Sequence, residues 1–283
     1  MLNTDLKSII ETKSPGFFQR FPSFLASALL RTLERIVHLE ELHDFFARHG
    51  EKTDWQFIEA VFDYLDSSYT VPDRDVHNIP AQGRLICVAN HATGPLDGLI
   101  LLHLIGRVRQ DVKIVLSDVL AELEQLRNLF LLYDLYTPQL QKQNILAIRR
   151  ALLDEQAVIF FPAGQVTKLS WHGLKEQDWQ LGPVSLARKY HVPILPVRLH
   201  ARNSQLYYLS AILHRNFSTL LLSHEMFRQR SHVVPVTIGH LFPSDHFRIP
   251  QADIPIQTDI LREYVHQLGN KNVTALRSEM DTP

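Results

Sequence analysis

The sequence holds one cysteine, Cys87, in 283 residues. That excludes an internal disulfide framework and a cysteine-rich metal site, and it is compatible with a reducing compartment. Long apolar runs are missing too. No stretch of about 18 uncharged apolar residues occurs, the length a membrane-spanning helix needs. Residues 23–37 come closest, but Arg31, Glu34 and Arg35 interrupt them. The N-terminus carries Asp5, Lys7, Glu11 and Lys13 and has no signal-peptide core. Charge of one sign is also lacking: the formal net charge is -1, which leaves no electrostatic footprint for nucleic acid. His-Glu-x-x-His, P-loop and dinucleotide glycine patterns are absent, as are repeats and low-complexity tracts. These absences predict a soluble or peripheral protein with no metal. What is present, 45% hydrophobic and 21% charged residues, suits a globular protein with a sizeable core.

Residues 23–49 are predicted to form one helix, with Ser23 as N-cap and Gly50 as its stop. Phe24, Leu25, Leu29, Leu33, Ile36 and Val37 recur at helical spacing. A second helix over residues 54–66 places Trp55, Ile58, Phe62 and Leu65 on one face. Ahead of both lies the aromatic cluster Phe17, Phe18 and Phe21 beside Arg20. Two readings stand side by side: the helix pair packs on the rest of the chain, or it dips into a bilayer interface. Both can hold at once.

From about residue 80 the pattern changes. Short apolar or β-branched runs at 85–89, 113–116, 157–161 and 193–199 alternate with helical stretches at 98–108, 118–128, 142–155 and 181–190. A further strand is expected at 232–239 and a closing helix at 255–268. Alternating strands and helices predict an α/β fold, a mostly parallel sheet flanked by helices, with the N-terminal helical pair added. The expected division is a helical extension over 1–79, with possible membrane contact, and an α/β domain over 80–283.

Three segments carry the chemistry. In 88–98 a strand ends in Asn90-His91, a Gly94-Pro95 turn follows, and Asp97 opens a helix. Ligands in open α/β sheets favour the carboxyl ends of strands, where this histidine falls. A neighbouring carboxylate would fix the imidazole tautomer and stabilise the imidazolium formed on proton abstraction. A lone histidine and aspartate six positions apart equally describe a structural or surface pair. In 158–168 a buried strand runs through Phe161 and Pro162 into Gly164, Gln165 and Lys168. Gly164 would permit close backbone approach, and Lys168 suits a phosphate; the alternative is an ordinary turn with a solvated lysine. The third, 191–197, reads as a core strand entered through Pro193. Gly182 to Ala187 superficially suggests a serine hydrolase, but Gly-x-Ser-x-Gly is absent and Ser185 falls in a predicted helix.

In this order, the segments resemble those of the lysophospholipid acyltransferase superfamily, the glycerol-phosphate acyltransferase-like enzymes. The nearest likeness is to its hemolysin-like branch, which includes lyso-ornithine-lipid O-acyltransferases. That branch writes Asn-His-Pro-x-Gly-x-x-Asp-Gly, matched by Asn90, His91, Gly94, Asp97 and Gly98, and Phe-Pro-Ala-Gly-Glu-Val-Ser-Arg, answered by Phe161 through Lys168. Arg202-Asn203-Ser204 and the helical N-terminus are also similar, so the resemblance spans roughly residues 17–240. It departs at Gln165, where the branch has Glu, and the superfamily's Gly-x-x-Phe-x-x-Arg block has no counterpart between Leu129 and Arg149.

The resemblance implies an O-acyltransferase that moves a fatty acyl group from an acyl thioester to the hydroxyl of a lyso-aminolipid or lysophospholipid. It implies His91 as general base and Asp97 as its orienting partner. Asn90, Gly94, Phe161, Pro162, Gly164, Gln165, Lys168, Arg202 and Asn203 are the implied substrate-binding residues. No cofactor is held permanently; acyl carrier protein or a coenzyme A thioester is the expected donor. A lyso-lipid acceptor implies a protein peripheral on the cytoplasmic face of the inner membrane. The competing reading is a catalytically silent lipid-binding protein of the same fold, favoured by Gln165 and the missing block.

Overall fold

The computed structural model describes residues 6–116, 123–132, 138–170, 173–213 and 215–270. Its N-terminal helices are α1 (Leu6–Lys13), α2 (Ser23–Ile36), α3 (Leu39–His49) and α4 (Asp54–Leu65). The long helix expected over 23–49 is therefore two helices. His38 takes a left-handed backbone, φ 56°, and breaks it. Ser23 is not a cap either: Pro22 holds the N-cap position, and Ser23 is the first helical residue. Gly50 does end α3, its N–H donating to the Phe46 carbonyl at 2.8 Å.

A short strand β1 (Ser68–Thr70) and helix α5 (Asp73–Val76) lead into the alternating region. There follow β2 (Leu85–Ala89), α6 (Pro95–Gly106), β3 (Val112–Leu116), β4 (Phe130–Leu132), α7 (Pro138–Leu153) and β5 (Ala157–Phe160). The chain continues through a hairpin, β6 (Lys168–Ser170) and β7 (Gly173–Lys175), to α8 (Gly182–Tyr190) and β8 (Ile194–Leu199). Then come α9 (Gln205–Leu213), α10 (Arg215–Arg228), β9 (Val233–Ile238) and α11 (Ile254–Gln267). Of the helix expected over 118–128, residues 118–122 lie outside the described residues, and Glu124–Leu129 is a 3-10 helix.

Seven strands make one sheet in the order β1-β9-β8-β2-β5-β3-β4, with β8–β9 antiparallel and the other pairs parallel. The central β2 is buried at every residue, as a strand covered on both faces must be, and this is why it reads as an unbroken apolar run. Helix α6 is apolar all round for the same reason. Its Leu96, Ile100, Leu101, Leu102 and Ile105 are fully buried, each contributing about 1.5–3 kcal/mol. One core packs α4 and α6 on one face of the sheet; a second packs α7, α8 and α11 on the other. From β2 the chain first builds strands on one side of it and later on the other. That switch leaves a crevice at the carboxyl end of β2.

Candidate active site

His91 stands at this carboxyl end, just past the last pairs of β2 with β5 and β8. Its ring nitrogen Nδ1 lies 2.9 Å from Oδ2 of Asp97. The turn between them is built by backbone demands. Gly94 has φ 111°, and a Cβ there would meet Cδ2 of Leu222 at 2.9 Å, so only glycine fits. Pro95 starts α6 with its fixed φ, and Asp97 sits at the third helical position, where a carboxylate caps free N–H groups.

Asp97 is 0% exposed, and a buried carboxylate needs partners. It has four. Oδ2 accepts from Thr93 N at 2.7 Å and Gly94 N at 2.9 Å as well as from His91; Oδ1 accepts from Thr93 Oγ1 at 2.6 Å. With Asp97 accepting throughout, the His91 ring carries its proton on Nδ1 and leaves Nε2 as the basic atom. Phe161 stacks on the same imidazole, centroids 4.3 Å apart and planes 19° from parallel. The ring is thus clamped from its edge and from one face.

The main chain of His91 is held as firmly. Its carbonyl accepts from Thr167 N at 2.9 Å and Thr167 Oγ1 at 3.1 Å, and its N–H donates to Oε1 of Glu176 at 2.7 Å. Asn90 bridges to β8: its amide donates to the Leu199 carbonyl at 3.0 Å and accepts from Leu199 N at 2.8 Å. Gly164, φ 65°, turns the chain after β5.

His91 lines a cavity of about 530 Å³ whose other walls are mainly apolar. Gly94, Phe161, Gly164 and Gln165 contribute from the expected set. Phe45, Phe57, Val61 and Leu65 enclose it from α3 and α4, and Leu99, Leu102, Met226 and Phe227 from α6 and α10. Tyr207 of α9 also faces it, 3% exposed. Burial, with Tyr208, Glu225 and Asp97 nearby, pushes the Tyr207 phenol up to about 12, so it stays neutral. Asn90, Pro162, Arg202 and Asn203 do not line the cavity. Arg202 is exposed. Asn203 is buried, and neither amide atom has a partner among the described residues. The side chain of Lys168 lies outside the described residues. Ser185 is within α8, away from the cavity lining.

Thr93, Thr167, Glu176 and Tyr207 escaped the sequence reading. Thr93 sits inside the first segment and carried the signal of a hydroxyl beside a turn carboxylate. Thr167 likewise lies in the second segment, as the hydroxyl that follows its turn, while Glu176 and Tyr207 announce themselves only through distant partners. No group of three or more His, Cys, Asp or Glu arranged for a metal occurs among the described residues.

The His91–Asp97 pair thus stands on the wall of a mainly apolar cavity. The profile of a family described as acyltransferase matches residues 8–270. The chain belongs to this acyltransferase family. Two lyso-glycine lipid O-acyltransferases are similar to it. That of Phocaeicola vulgatus is 26% identical over 250 residues, covering 86% of this chain and 87% of that protein. That of Bacteroides thetaiotaomicron is 26% identical over 272 residues, covering 93% and 97%. A crystal structure of the 1-acyl-sn-glycerophosphate acyltransferase PlsC of Thermotoga maritima superimposes with a TM-score of 0.49 at 16% identity, covering 85% of the present acyltransferase and 92% of that chain.

Proposed function

We propose that this acyltransferase transfers a fatty acyl group from an acyl thioester to the hydroxyl of a lyso-lipid, with His91 as general base. The observation that carries the reading is the His91–Asp97 pair, 2.9 Å apart, on the wall of a mainly apolar cavity of about 530 Å³. Nε2 of His91 removes the proton of the acceptor hydroxyl as its oxygen bonds to the thioester carbonyl carbon. The carbon–sulfur bond then breaks, and the leaving thiolate takes the proton back from the imidazolium. An ester and a thiol result, with no acyl-enzyme and no redox step. Asp97 stabilises the transient imidazolium, and the cavity accommodates the alkyl chain.

Two relatives named for a lyso-glycine lipid favour a lyso-aminolipid acceptor; a lysophospholipid is the other acceptor in this class. The donor is acyl carrier protein or coenzyme A thioester. Gly94, Phe161, Gly164 and Gln165 contact substrate in this reading, while Asn90 and Pro162 shape the turns beside it. Lys168 and Arg202 are assigned to polar head groups, whereas Asn203, buried and outside the cavity lining, is left to the packing of its own loop. Residues 80–283 serve as the catalytic domain and 1–79 as an extension toward the cytoplasmic face of the inner membrane. No helix among the described residues is long and apolar enough to cross a membrane, and Phe21, Phe24 and Leu25 are exposed.

The test is thiol release from an acyl thioester, with the lipid product identified by mass spectrometry. His91→Ala is expected to lower turnover by about 10²–10⁴-fold, the usual worth of a positioned base. Asp97→Asn is the milder change, because Thr93 Oγ1 can accept from the new amide while Oδ1 of Asn keeps the imidazole. It removes charge more than geometry. A purified His91→Ala protein with wild-type turnover sinks the assignment, and wild type that binds lipid without releasing thiol returns the protein to the silent lipid-binding reading.

A further inference from the structure

We propose that Glu176 is a positioning residue for this reaction, fixing the main chain of His91 so that its imidazole meets the acceptor; the inference rests on His91 being the base. His91 lies beyond the sheet ladder, so its backbone N–H must find a partner elsewhere. That partner is the carboxylate of Glu176, at 2.7 Å. Glu176 is 5% exposed and lies 85 residues away in sequence, directly after β7. A buried charged acceptor makes a stronger and shorter bond than a neutral one.

The carboxylate is itself fixed from two further directions. Its Oε2 accepts from Trp179 Nε1 at 3.0 Å and lies 3.0 Å from Nε2 of His266 on α11. Neither Trp179 nor His266 lines the cavity, and neither does Glu176. The group therefore acts through His91 and touches no substrate. With Thr167 on the His91 carbonyl, Glu176 completes a hold on the two peptide groups that flank the Cα of His91. Removing it leaves a buried N–H without a partner and frees the turn at 90–94 to shift. A general base must stay within hydrogen-bond reach of its proton, and a displacement of about 1 Å at such a site costs on the order of 10²-fold in rate.

The experiment compares Glu176→Ala, Glu176→Gln and Trp179→Phe in the full chain. Glu176→Ala should lower kcat by about 10- to 100-fold with KM within about twofold. Glu176→Gln, whose amide oxygen accepts the same N–H, should restore kcat to within about threefold of wild type. Trp179→Phe removes a different bond to the same carboxylate and opens the core beside it, yet should keep kcat within about threefold. A wild-type kcat in Glu176→Ala, or an equal loss in Trp179→Phe at matched thermal stability, overturns the proposal in favour of a purely structural carboxylate.

The contact also has a readout independent of turnover. In protein labelled with ¹⁵N-histidine, the His91 amide, assigned by its loss in His91→Ala, should resonate downfield and move upfield in Glu176→Ala. An unmoved resonance overturns the contact. Wild type that shows the shift but transfers no acyl group overturns the reading of the reaction, and the positioning role falls with it.

Discussion

Gln165 lines the cavity in the turn that follows β5, close to where Phe161 stacks on His91. Glu and Gln are nearly isosteric, but the amide brings a donor where the carboxylate brings charge. Hydrogen bonds to charged groups contribute about 1.5–3 kcal/mol against roughly 1 kcal/mol for neutral ones. Gln165→Glu is therefore expected to shift preference toward amine-bearing lyso-lipids without destroying transfer. Competition between a lyso-aminolipid and lysophosphatidate reads this as a changed product ratio. An identical ratio in both proteins means that residue 165 does not read the head group. The same scale explains why Asp97 outranks any other carboxylate near His91 as its partner: it is buried, it accepts four hydrogen bonds, and its position on α6 is set by a glycine and a proline that admit little else.

At the scale of elements, α2 and α3 divide the two tasks that one long helix was expected to combine. His38 makes the break. Its Nδ1 lies 2.7 Å from Glu41 Oε1, its Nε2 lies 3.2 Å from Nδ1 of His224 on α10, and its ring stacks on Phe227 at 4.6 Å. Docking on α10 turns the chain there, so α3 walls the cavity while α2 presents an outer face. The aromatic cluster divides likewise. Phe18 is buried with Leu6, Ile10 and Val37, and Phe17 packs against that cluster. Phe24, 70% exposed, is the large apolar residue of this region that faces outward most, with Leu25 and Phe21 beside it. The packing reading thus holds for Phe17 and Phe18, and Phe21, Phe24 and Leu25 carry the bilayer proposal. Replacing those three by Ser should lower the fraction floating with anionic liposomes while thermal stability stays near wild type. An unchanged floating fraction rejects insertion by α2.

At the scale of the whole molecule, the amino-terminal edge of the sheet is tied by charge rather than by a site. Arg109 is buried; it pairs with Asp111 at 2.6 Å and donates to the carbonyls of Pro80, Gly83 and Glu155. The Arg109 hydrogen bond holds the Asp111 carboxyl below its ordinary value. A carboxyl depressed in the folded state binds more protons when unfolded. Its contribution is present above the unfolded value, about pH 4, and is lost as pH falls through the lower folded value. Asp111→Asn should therefore destabilise the protein at neutral pH and flatten the acid limb of its stability curve. Urea midpoints measured between pH 7 and pH 3 check this. Parallel curves for mutant and wild type discount the pair.

The apolar runs of β2, β5 and β8 and the glycine–proline turn before Asp97 depend on local chemistry alone. Burial on both sheet faces, a positive φ and a fixed φ each leave a mark in the residues themselves. The α/β class, the parallel sheet and the His91–Asp97 pair were accordingly legible in order of sequence. The short strands β1 and β4 were not, because three residues carry no period and their pairing partners lie far away. Nor was the break at His38, since helical spacing persists through it and only α10 makes the turn favourable. Sequence by itself determined that His91 follows a strand and that Asp97 opens the next helix. Tertiary structure decided what holds them: Glu176 and Thr167 on the His91 backbone, Phe161 on its ring, and an apolar cavity walled by helices from both ends of the chain. Those contacts join residues tens of positions apart, and no local pattern encodes a distance that the packed sheet alone makes short.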